Sequence, residues 1–391
     1  IHLLFQFKHQ LKQYLKQTKM NGKNLLNNLI KTNQLTIEEI KQFIYEHENQ
    51  NKSEKSYFKQ NKFFNTQELK KHGYEMINII CNLYENLENF KVFPQIEIGH
   101  LRNSLPSSPP QTGEDLTQIL SDTKNIIFPC ITQWQHPNFF AYYPSSVSHA
   151  TSIAELFAST FHSPGFTWAA SPAQTELENI TVDWVAQMLN LPEVYQLKNE
   201  GGGTISMSVS DAFHLVIHAA KQRKIIDLKI DNYDPKIFQF SAYYFEHSFV
   251  TCEKALTLKE IQHTRIIECY YDKEKKNFQP NIKVFKQVIQ KDVENGLIPF
   301  FCLATYGTTS TCAVDPFDDI IDICKQYGMW LNLDSAYGGL TWVCPELQMK
   351  KHQQVLLSVD SMQINFSKAG LIGTIGQLLV YKDIKNLLEK M

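Results

Sequence analysis

The second half of the chain contains a strand–helix–strand pattern that restricts the fold more than any other feature. Residues 298–305 and 329–334 are nearly all apolar, which is typical of strands buried on both faces of a sheet. Between them, Asp315 and Pro316 predict the start of a helix whose apolar residues share one face, and Gly328 predicts its end. A right-handed crossover of this kind joins parallel strands. The sequence therefore predicts an α/β fold with a mostly parallel central sheet.

Composition excludes several classes of partner. The chain has 391 residues, of which 43% are hydrophobic, enough for the core of a large α/β domain. Its formal net charge is −2 and its basic residues are scattered, so we expect neither nucleic acid nor a membrane surface as a partner. No apolar run approaches the roughly 18 residues that span a bilayer. The first residues lack the cleavage site of a signal peptide.

The eight cysteines form neither a Cys-x-x-Cys pair nor a cluster with histidine at zinc spacing. Cysteines distributed in this way are typical of buried small side chains in a reducing compartment. We therefore expect a cytoplasmic protein without a metal site.

Composition also divides the chain into three segments. Residues 1–63 are rich in Asn, Lys and Gln and predict a polar extension, partly helical or disordered, with a docking module as the alternative. Within it, Thr36 and Glu39 have the spacing of a capping box. Residues 64–150 predict an N-terminal helical segment. Residues 151–391 predict a large ligand-binding domain.

Apolar periodicity predicts three helices ahead of the sheet. Residues 67–90 and 115–127 repeat apolar side chains at helical spacing. The third helix, over 175–191, begins with a capping box formed by Thr175 and Glu178.

Two charged residues in the second half point to a cofactor. Asp334 ends an apolar strand, and Lys368 follows 34 residues later (368 − 334) in a mostly uncharged stretch. Burying a carboxylate is costly without a cationic or hydrogen-bonding partner, and ligands bind at the carboxyl ends of parallel strands. Pyridoxal phosphate needs a carboxylate beside its ring nitrogen and a lysine to hold its aldehyde. The pair therefore predicts a site for that cofactor.

Two further segments are candidates for the same site. The run Gly201-Gly202-Gly203 is followed by Ser208, Ser210 and a predicted helix over 212–221. A glycine-rich turn before a helix N-terminus binds phosphate, although such turns also occur for purely structural reasons. His247 follows a predicted strand, where an imidazole is either structural or catalytic.

Together these segments resemble the group II pyridoxal-phosphate-dependent amino acid decarboxylases, and most closely the aromatic-L-amino-acid decarboxylases. The resemblance runs from about Asn65 to the end of the chain. Its most specific parts are His136-Pro-Asn-Phe-Phe-Ala-Tyr-Tyr-Pro-Ser145 and Gly165-Phe-Thr-Trp-Ala-Ala-Ser-Pro-Ala-Gln-Thr-Glu-Leu-Glu178. The segments Ala304-Thr-Tyr-Gly-Thr-Thr309 and Asp334-Ser-Ala-Tyr-Gly338 also agree.

The resemblance implies a role for each matching residue. The implied catalytic residues are Lys368, which would hold the cofactor aldehyde as a Schiff base, Asp334 at the ring nitrogen, and His247 stacked on the ring. The other residues implied to bind the cofactor are Ser208, Val209, Ser210, Thr309, Ala336 and Asn365. The residues implied to line the substrate pocket are Tyr142, Tyr143, Pro144, Ser145, Phe166 and Trp168. Aromatic rings in this pocket favour an aromatic amino acid as the substrate.

The resemblance also implies a fold and a reaction. The fold would be a fold type I, aminotransferase-like large domain that works as a homodimer, with residues 64–150 packing across the dimer. The reaction would be decarboxylation of an aromatic L-amino acid to the amine and CO2. Two alternatives stay open: a degenerate homologue that keeps the fold and dimer surface but has little catalysis, and another group II decarboxylase or lyase of the glutamate type.

Several positions depart from the family pattern, and those beside the lysine favour the degenerate alternative. Ser367 and Ala369 flank the lysine where the family has histidine and tryptophan. Asn332 stands in place of a histidine, Met207 in place of a glycine, and Ile375 near the position of an aspartate. The mobile loop and small C-terminal domain of the family would follow the last residue, so we expect both to be absent from these 391 residues.

Overall fold

The computed structural model describes residues 64–161, 163–373 and 376–383. The polar extension predicted over 1–63, its capping box at Thr36 and Glu39, and the Ile375 position lie outside the described residues. The chain forms two compact units. One contains the described residues up to Phe90 together with Pro94–Ile131, and the other contains Lys91–Phe93 and the residues from Thr132 onward. Residues 132–150, which the sequence groups with the N-terminal segment, therefore fold with the larger unit.

The smaller unit is helical in its described part. Its helices are α1 (Thr66–Glu85), α2 (His100–Ser104) and α3 (Leu116–Asp122). Asn65 caps α1 by accepting from the Gln67 backbone N–H at 2.9 Å. Asp115 caps α3 in the same way at 2.8 Å from Thr117 N. A π-helical turn at Thr123–Ile127 continues α3, so the helices predicted over 67–90 and 115–127 are confirmed in position.

The larger unit alternates helices and strands. Its helices are α4 (His149–Phe161), α5 (Pro172–Met188), α6 (Val209–Asp227), α7 (Thr251–Leu258), α8 (Ile282–Glu294), α9 (Phe317–Tyr327), α10 (His352–Ser358) and α11 (Phe366–Ala369). Its strands are β1 (Gly202–Ser206), β2 (Phe240–Phe245), β3 (His263–Ile267), β4 (Cys269–Asp272), β5 (Asn277–Pro280), β6 (Ile298–Thr305), β7 (Trp330–Asp334), β8 (Ser361–Asn365) and β9 (Gln377–Tyr381).

Seven of these strands form one mostly parallel sheet, in the order β1-β9-β8-β7-β6-β2-β3. The pairs from β8 to β3 are parallel, whereas β9 is antiparallel to both of its neighbours. Strands β6 and β7 are in register from Phe301 and Trp330 to Thr305 and Asp334, so both end at the same edge. The β6–α9–β7 unit predicted from the sequence is thus confirmed. Strands β4 and β5 form a separate antiparallel pair.

Helices cover both faces of the large sheet, because its strands alternate two sets of apolar side chains. On β2, Tyr243 and Phe245 belong to the core that includes α8 and α9. The intervening Ala242 and Tyr244 belong to the core that includes α6 and α7. All five residues of β7 are buried, as the apolar run predicts. Within the described residues, no helix combines the length and apolarity needed to cross a membrane.

Two predicted helix caps are wrong. The helix α5 begins at Pro172, one turn before the predicted capping box, because proline at the first position starts it there. The Glu178 carboxylate instead accepts from Ile205 N on the edge strand β1 at 2.7 Å. Asp315 does not cap α9, since its carboxylate is buried and accepts from Thr305 N at 2.7 Å.

Candidate functional site

A cleft opens at the carboxyl ends of β6 and β7, where parallel sheets commonly bind ligands. It is formed by residues from these strand ends, from α6 and α11, and from the loops beside them. The residues that line it are Tyr143, Pro144, Val209, Phe249, Thr305, Gly307, Thr309, Asp334, Ala336, Tyr337 and Lys368. The cleft therefore brings together the two charged residues, Asp334 and Lys368, that the sequence singles out.

Asp334 is the last residue of β7 and forms part of the cleft floor. Its side chain is only 5% exposed, and its Oδ1 accepts a hydrogen bond from Ala336 N at 3.0 Å. Burial raises the pKa of the Asp334 carboxyl to about 6, against the opposing effects of the Ala336 N–H and of Lys368. The carboxylate is thus still the main form at neutral pH, where it favours a cationic partner.

Lys368 lies on the short helix α11, which follows β8 at the same edge of the sheet. Asn365 fixes the start of α11, because its side chain accepts from Ser367 N at 2.9 Å. The Lys368 Nζ atom lies 3.0 Å from the centroid of the Tyr143 ring. Burial lowers the pKa of Lys368 to about 8, although Asp334 acts in the opposite direction. A sizeable fraction of the amine is therefore neutral and nucleophilic near pH 8.

Only part of the predicted phosphate-binding segment, residues 201–210, forms a turn that leads into a helix. Gly202 and Gly203 lie in β1, and a Cβ atom on Gly203 would collide with the Leu379 carbonyl of the neighbouring strand. Close strand packing therefore accounts for Gly203, in line with the purely structural interpretation of the glycine run. Ser208 caps α6 by accepting from Asp211 N at 3.2 Å, and Val209 lines the cleft. Only the Ser208 end of the segment reaches the cleft region.

His247 lies in the turn after β2, and its ring does not line the cleft. Its ring centroid is 4.5 Å from that of Phe278, a residue of β5. Phe249, two residues further along the same loop, lines the cleft instead. Proximity in the chain therefore identifies the loop but not the side chain that reaches the cleft.

The six predicted pocket residues separate into two groups. Tyr143 and Pro144 line the cleft. Tyr142 has a positive φ of 60° and stacks on Trp134, with ring centroids 5.5 Å apart. Phe166 is 78% exposed, and Trp168 donates from Nε1 to Glu176 at 2.8 Å. The remaining residue of the second group is Ser145, whose carbonyl accepts from Gln135 Nε2 at 2.8 Å.

The substituted positions around the site form bonds of their own. The Ser367 hydroxyl donates to the Gly373 carbonyl at 2.7 Å, which ties α11 to the following loop. Asn332 is fully buried within the sheet, and its Oδ1 accepts from the Ser361 hydroxyl at 2.7 Å. Each of these two side chains thus forms a hydrogen bond within the described residues, while the buried Nδ2 atom of Asn332 has no partner there.

Four cleft residues were not predicted from the sequence as site residues. They are Phe249, Thr305, Gly307 and Tyr337. Thr305, Gly307 and Tyr337 lie within the sequence segments that carry the resemblance, so those segments contain a usable signal for them. Phe249 has no such signal beyond its position two residues after His247.

Comparison with known proteins places the chain among similar sequences and folds. Residues 99–391 match the family model described as the pyridoxal-dependent decarboxylase conserved domain. The chain is 34% identical over 287 residues to a phenylacetaldehyde synthase of a Rosa hybrid cultivar, covering 73% of this chain and 56% of that protein. It is 33% identical over 301 residues to an aromatic-L-amino-acid decarboxylase of Catharanthus roseus, covering 76% of this chain and 58% of that protein. The chain thus spans somewhat more than half the length of these curated relatives.

A solved structure shows the same arrangement of the fold. The crystal structure of Catharanthus roseus tryptophan decarboxylase in complex with L-tryptophan superposes with a TM-score of 0.78 at 31% sequence identity. The superposition covers 84% of this chain and 69% of that chain. The mostly parallel sheet and its flanking helices are therefore those of that decarboxylase.

Proposed function

This chain belongs to the family of pyridoxal-dependent decarboxylases, and we propose that it removes the carboxylate of an aromatic L-amino acid as CO2 to give the amine. The observation that carries the proposal is the enclosure of Asp334 and Lys368 in one cleft at the end of the parallel sheet. The chain spans only part of the length of its curated relatives. The proposal is therefore limited to the reaction at this cleft.

The cleft fits pyridoxal 5'-phosphate, the cofactor of the family. Asp334 is a buried carboxylate whose hydrogen bond to Ala336 N uses only Oδ1, so Oδ2 is left to accept from a protonated ring nitrogen. Lys368 offers a half-buried amine with a pKa lowered to about 8, suited to hold an aldehyde. When bound, the cofactor supplies an electron sink for the bond that breaks.

The other cofactor contacts are proposed from the resemblance and are supported by position. Asp334 would keep the ring nitrogen protonated, and Lys368 would hold and release the aldehyde. Val209, Thr309 and Ala336 line the cleft, which is where a bound ring would lie. The phosphate would lie near the α6 start, where backbone N–H groups favour an anion. The residues proposed for the phosphate side are Ser208, Ser210 and Asn365.

His247 is proposed to stack on the cofactor ring, as the resemblance implies. Its ring contacts Phe278 and is half-buried in the turn that leads to Phe249. The same turn carries the cleft residue Phe249, and this neighbourhood supports the proposal.

An aromatic substrate is proposed from the pocket and from the relatives. Tyr143 and Pro144 supply apolar surface at the cleft, whereas Tyr142, Ser145, Phe166 and Trp168 are proposed for the substrate side from the resemblance alone. The relative from Catharanthus roseus is described as acting on aromatic L-amino acids. These points favour the aromatic reaction over the glutamate-type alternative.

A second reaction outcome follows from one of the relatives. The relative from the Rosa hybrid cultivar is described as a phenylacetaldehyde synthase, so an aldehyde is the second candidate product. The degenerate alternative stays distinct from both, because it predicts that the fold and dimer surface are kept while little or no product forms.

We further propose a cytoplasmic homodimer. Support for the dimer comes from helices α4 and α5, because large apolar side chains on both are exposed in the single chain, a pattern typical of protein interfaces. The exposed apolar residues of α4 and α5 are Ile153, Leu156, Phe157, Phe161, Leu177, Ile180, Trp184 and Met188. The proposal that residues 64–150 pack across the dimer rests on the resemblance alone. Support for the cytoplasm comes from the eight cysteines, all of them free thiols.

The assay that tests the function follows both products. The full chain, saturated with pyridoxal 5'-phosphate, is incubated with carboxyl-labelled L-tryptophan, L-tyrosine, L-dopa, L-phenylalanine and L-glutamate. We expect labelled CO2 and an equal amount of amine from at least one aromatic substrate. Equal amounts of CO2, aldehyde and ammonia, with O2 consumed as the two-electron oxidant and H2O2 formed, would replace the amine by the aldehyde as product. Turnover of glutamate alone would overturn the aromatic assignment. Bound cofactor without CO2 from any substrate would support the degenerate alternative.

A further inference from the structure

Three side chains with metal-binding atoms converge beside the cleft loop. Glu246 and His247 lie in the turn after β2, and Cys269 is the first residue of β4. One carboxylate oxygen, one imidazole nitrogen and the thiol sulfur all lie within 4.8 Å of one another. The three donors are of different chemical types, which distinguishes them from a surface cluster of carboxylates.

The convergence is fixed by the backbone and by packing. The Cys269 backbone N–H donates to Glu246 Oε2 at 2.9 Å, and the Glu246 N–H donates to the Ile267 carbonyl at 3.0 Å. The ring of Phe278 packs against His247 and restricts the orientation of the imidazole. Because β4 and β5 are paired from Cys269 and Pro280 onward, Phe278 and Cys269 also keep a fixed relation to each other. A metal ion would therefore meet three ligand atoms that already lie close to one another.

We propose that Glu246, His247 and Cys269 bind a divalent cation of the zinc type. Thiolate, imidazole and carboxylate are the ligands that zinc takes in proteins, whereas magnesium and calcium favour oxygen ligands alone. Zinc bonds of about 2.0–2.3 Å in a tetrahedral site place neighbouring donor atoms about 3.5 Å apart. Side-chain rotations would close the donor atoms from their present separations to that distance. Water would complete the fourth position.

Proton balance follows from the state of the thiol. Burial raises the pKa of Cys269 to about 11, so the sulfur carries a proton at neutral pH in the absence of metal. Metal binding forms the metal–sulfur bond and releases that proton to solvent, so no oxidant or other reactant is required.

The site would compete with the use of His247 at the cofactor, a consequence that rests on the proposed function. An imidazole that coordinates the cation is held toward Glu246 and Cys269, and it is then withdrawn from a cofactor ring. Occupation by the cation is thus expected to inhibit turnover without displacing Lys368 or Asp334.

Sequence spacing does not reveal this site. Cys269 lies 22 residues after His247 (269 − 247), and the two residues meet only because β3 returns the chain to the end of β2. The expectation of no metal site rested on local spacing alone.

Cobalt absorbance tests the site without relying on activity. The full chain, before cofactor is added, is titrated with Co²⁺, and the near-ultraviolet thiolate-to-cobalt band is recorded. Cys269→Ser is expected to abolish the band, whereas Cys344→Ser, which alters another half-buried free cysteine, should leave it unchanged. Glu246→Gln should weaken Co²⁺ binding at least about tenfold, the loss that even outer-shell partners of metals show. A band that persists in Cys269→Ser, or no band in the unmodified chain, would overturn the proposal.

The second arm separates the metal site from the proposed function. Zinc is added to the cofactor-loaded chain during the decarboxylation assay, and Glu246→Gln is measured alongside. We expect inhibition that requires at least about tenfold more zinc in Glu246→Gln, in line with its weaker site. Equal inhibition of both chains would disprove the link to His247 while leaving the cobalt result to decide the site itself. If the loaded chain has no activity, the proposed function fails and the cobalt titration still stands alone.

Discussion

At the carboxyl end of the sheet, the single chain packs its charged side chains against other residues. On the helices α4 and α5, it leaves large apolar side chains exposed. At the sheet end, Asp334 is 5% exposed and Lys368 is packed against Tyr143. On α4 and α5, apolar side chains as large as Trp184, which is 63% exposed, face outward. A buried charge needs a partner close by, here the Ala336 N–H and, as proposed, the cofactor, since leaving it unpaired is costly. An apolar surface can instead be covered by a second molecule, so the proposed homodimer accounts for the difference.

The largest predicted effect is that of substituting Lys368 at the end of the sheet. Lys368→Arg keeps a positive charge beside Asp334 but removes the primary amine, so we expect turnover to fall by more than about 10³-fold. Steady-state rates of CO2 release measure the loss. Lys221→Arg serves as the matched control, because this half-buried lysine donates to the Lys259 carbonyl away from the cleft. An active Lys368→Arg chain would disprove the assigned role.

Asp315 tests the cost of burying a carboxylate at the same edge without a cationic partner. Burial raises its pKa to about 7, with the nearby Asp334 adding to the rise and the Thr305 N–H opposing it. Between its ordinary pKa of 3.8 and about 7, the folded chain binds more protons than the unfolded chain, so the free energy of unfolding falls as the pH rises.

Asp315→Asn should remove this dependence on pH. Near pH 8 the variant should be more stable than the unmodified chain by up to about 4 kcal/mol, because one unit of pKa corresponds to about 1.4 kcal/mol. Near pH 4 the two chains should unfold alike. Urea unfolding of both chains at several pH values measures the difference, and parallel pH profiles would contradict the account.

Asp334→Asn isolates the carboxylate proposed for the ring nitrogen. We expect cofactor affinity to fall about 10- to 100-fold, because hydrogen bonds to charged groups contribute about 1.5–3 kcal/mol. The dissociation constant of pyridoxal 5'-phosphate, measured by absorbance, reports the change. Asp315→Asn is the control, since it alters a second buried carboxylate that bonds to backbone and does not line the cleft. Equal losses in both variants would indicate a general structural effect.

The smallest predicted effect is on self-association and comes from a substitution on the exposed helices α4 and α5. Trp184→Ser should weaken self-association by about tenfold or more, because tryptophan is enriched among the residues that dominate interfaces. Sedimentation across a concentration series measures the monomer fraction. Tyr233→Ser, which changes an aromatic residue that is 93% exposed in a loop, should leave association unchanged. Identical sedimentation of the unmodified chain and Trp184→Ser would contradict the proposed interface.

The β6–α9–β7 part of the sheet could be predicted from the sequence, because buried parallel strands carry a strong local signal. The bounds of β6 agree with the prediction, and β7 begins one residue later than predicted. Gly328 has a positive φ of 59° at the end of α9, the conformation for which glycine is suited. These features are determined by residues that are close together in the sequence, so a local sequence pattern can predict them.

The features that were missed depend on distant partners. Glu178 bonds to β1 and Asp315 to β6, although both have the local spacing of helix caps. Gly203 is needed because the Leu379 carbonyl of the adjacent strand approaches it closely. In the sequence, a glycine required for such packing looks the same as one in a phosphate-binding turn. Which side of a loop faces the cleft, as for His247 and Phe249, is also decided by tertiary packing.

Borohydride reduction of the cofactor-loaded chain tests the central claim most directly. Reduction fixes pyridoxal 5'-phosphate on the lysine that holds its aldehyde, and peptide mass spectrometry then locates the added group. The account predicts the label on Lys368, at about one group per chain when the site is saturated, and no label at that peptide in Lys368→Arg. A label on any other lysine, or no label at all, would contradict the assignment of the cleft as the cofactor site.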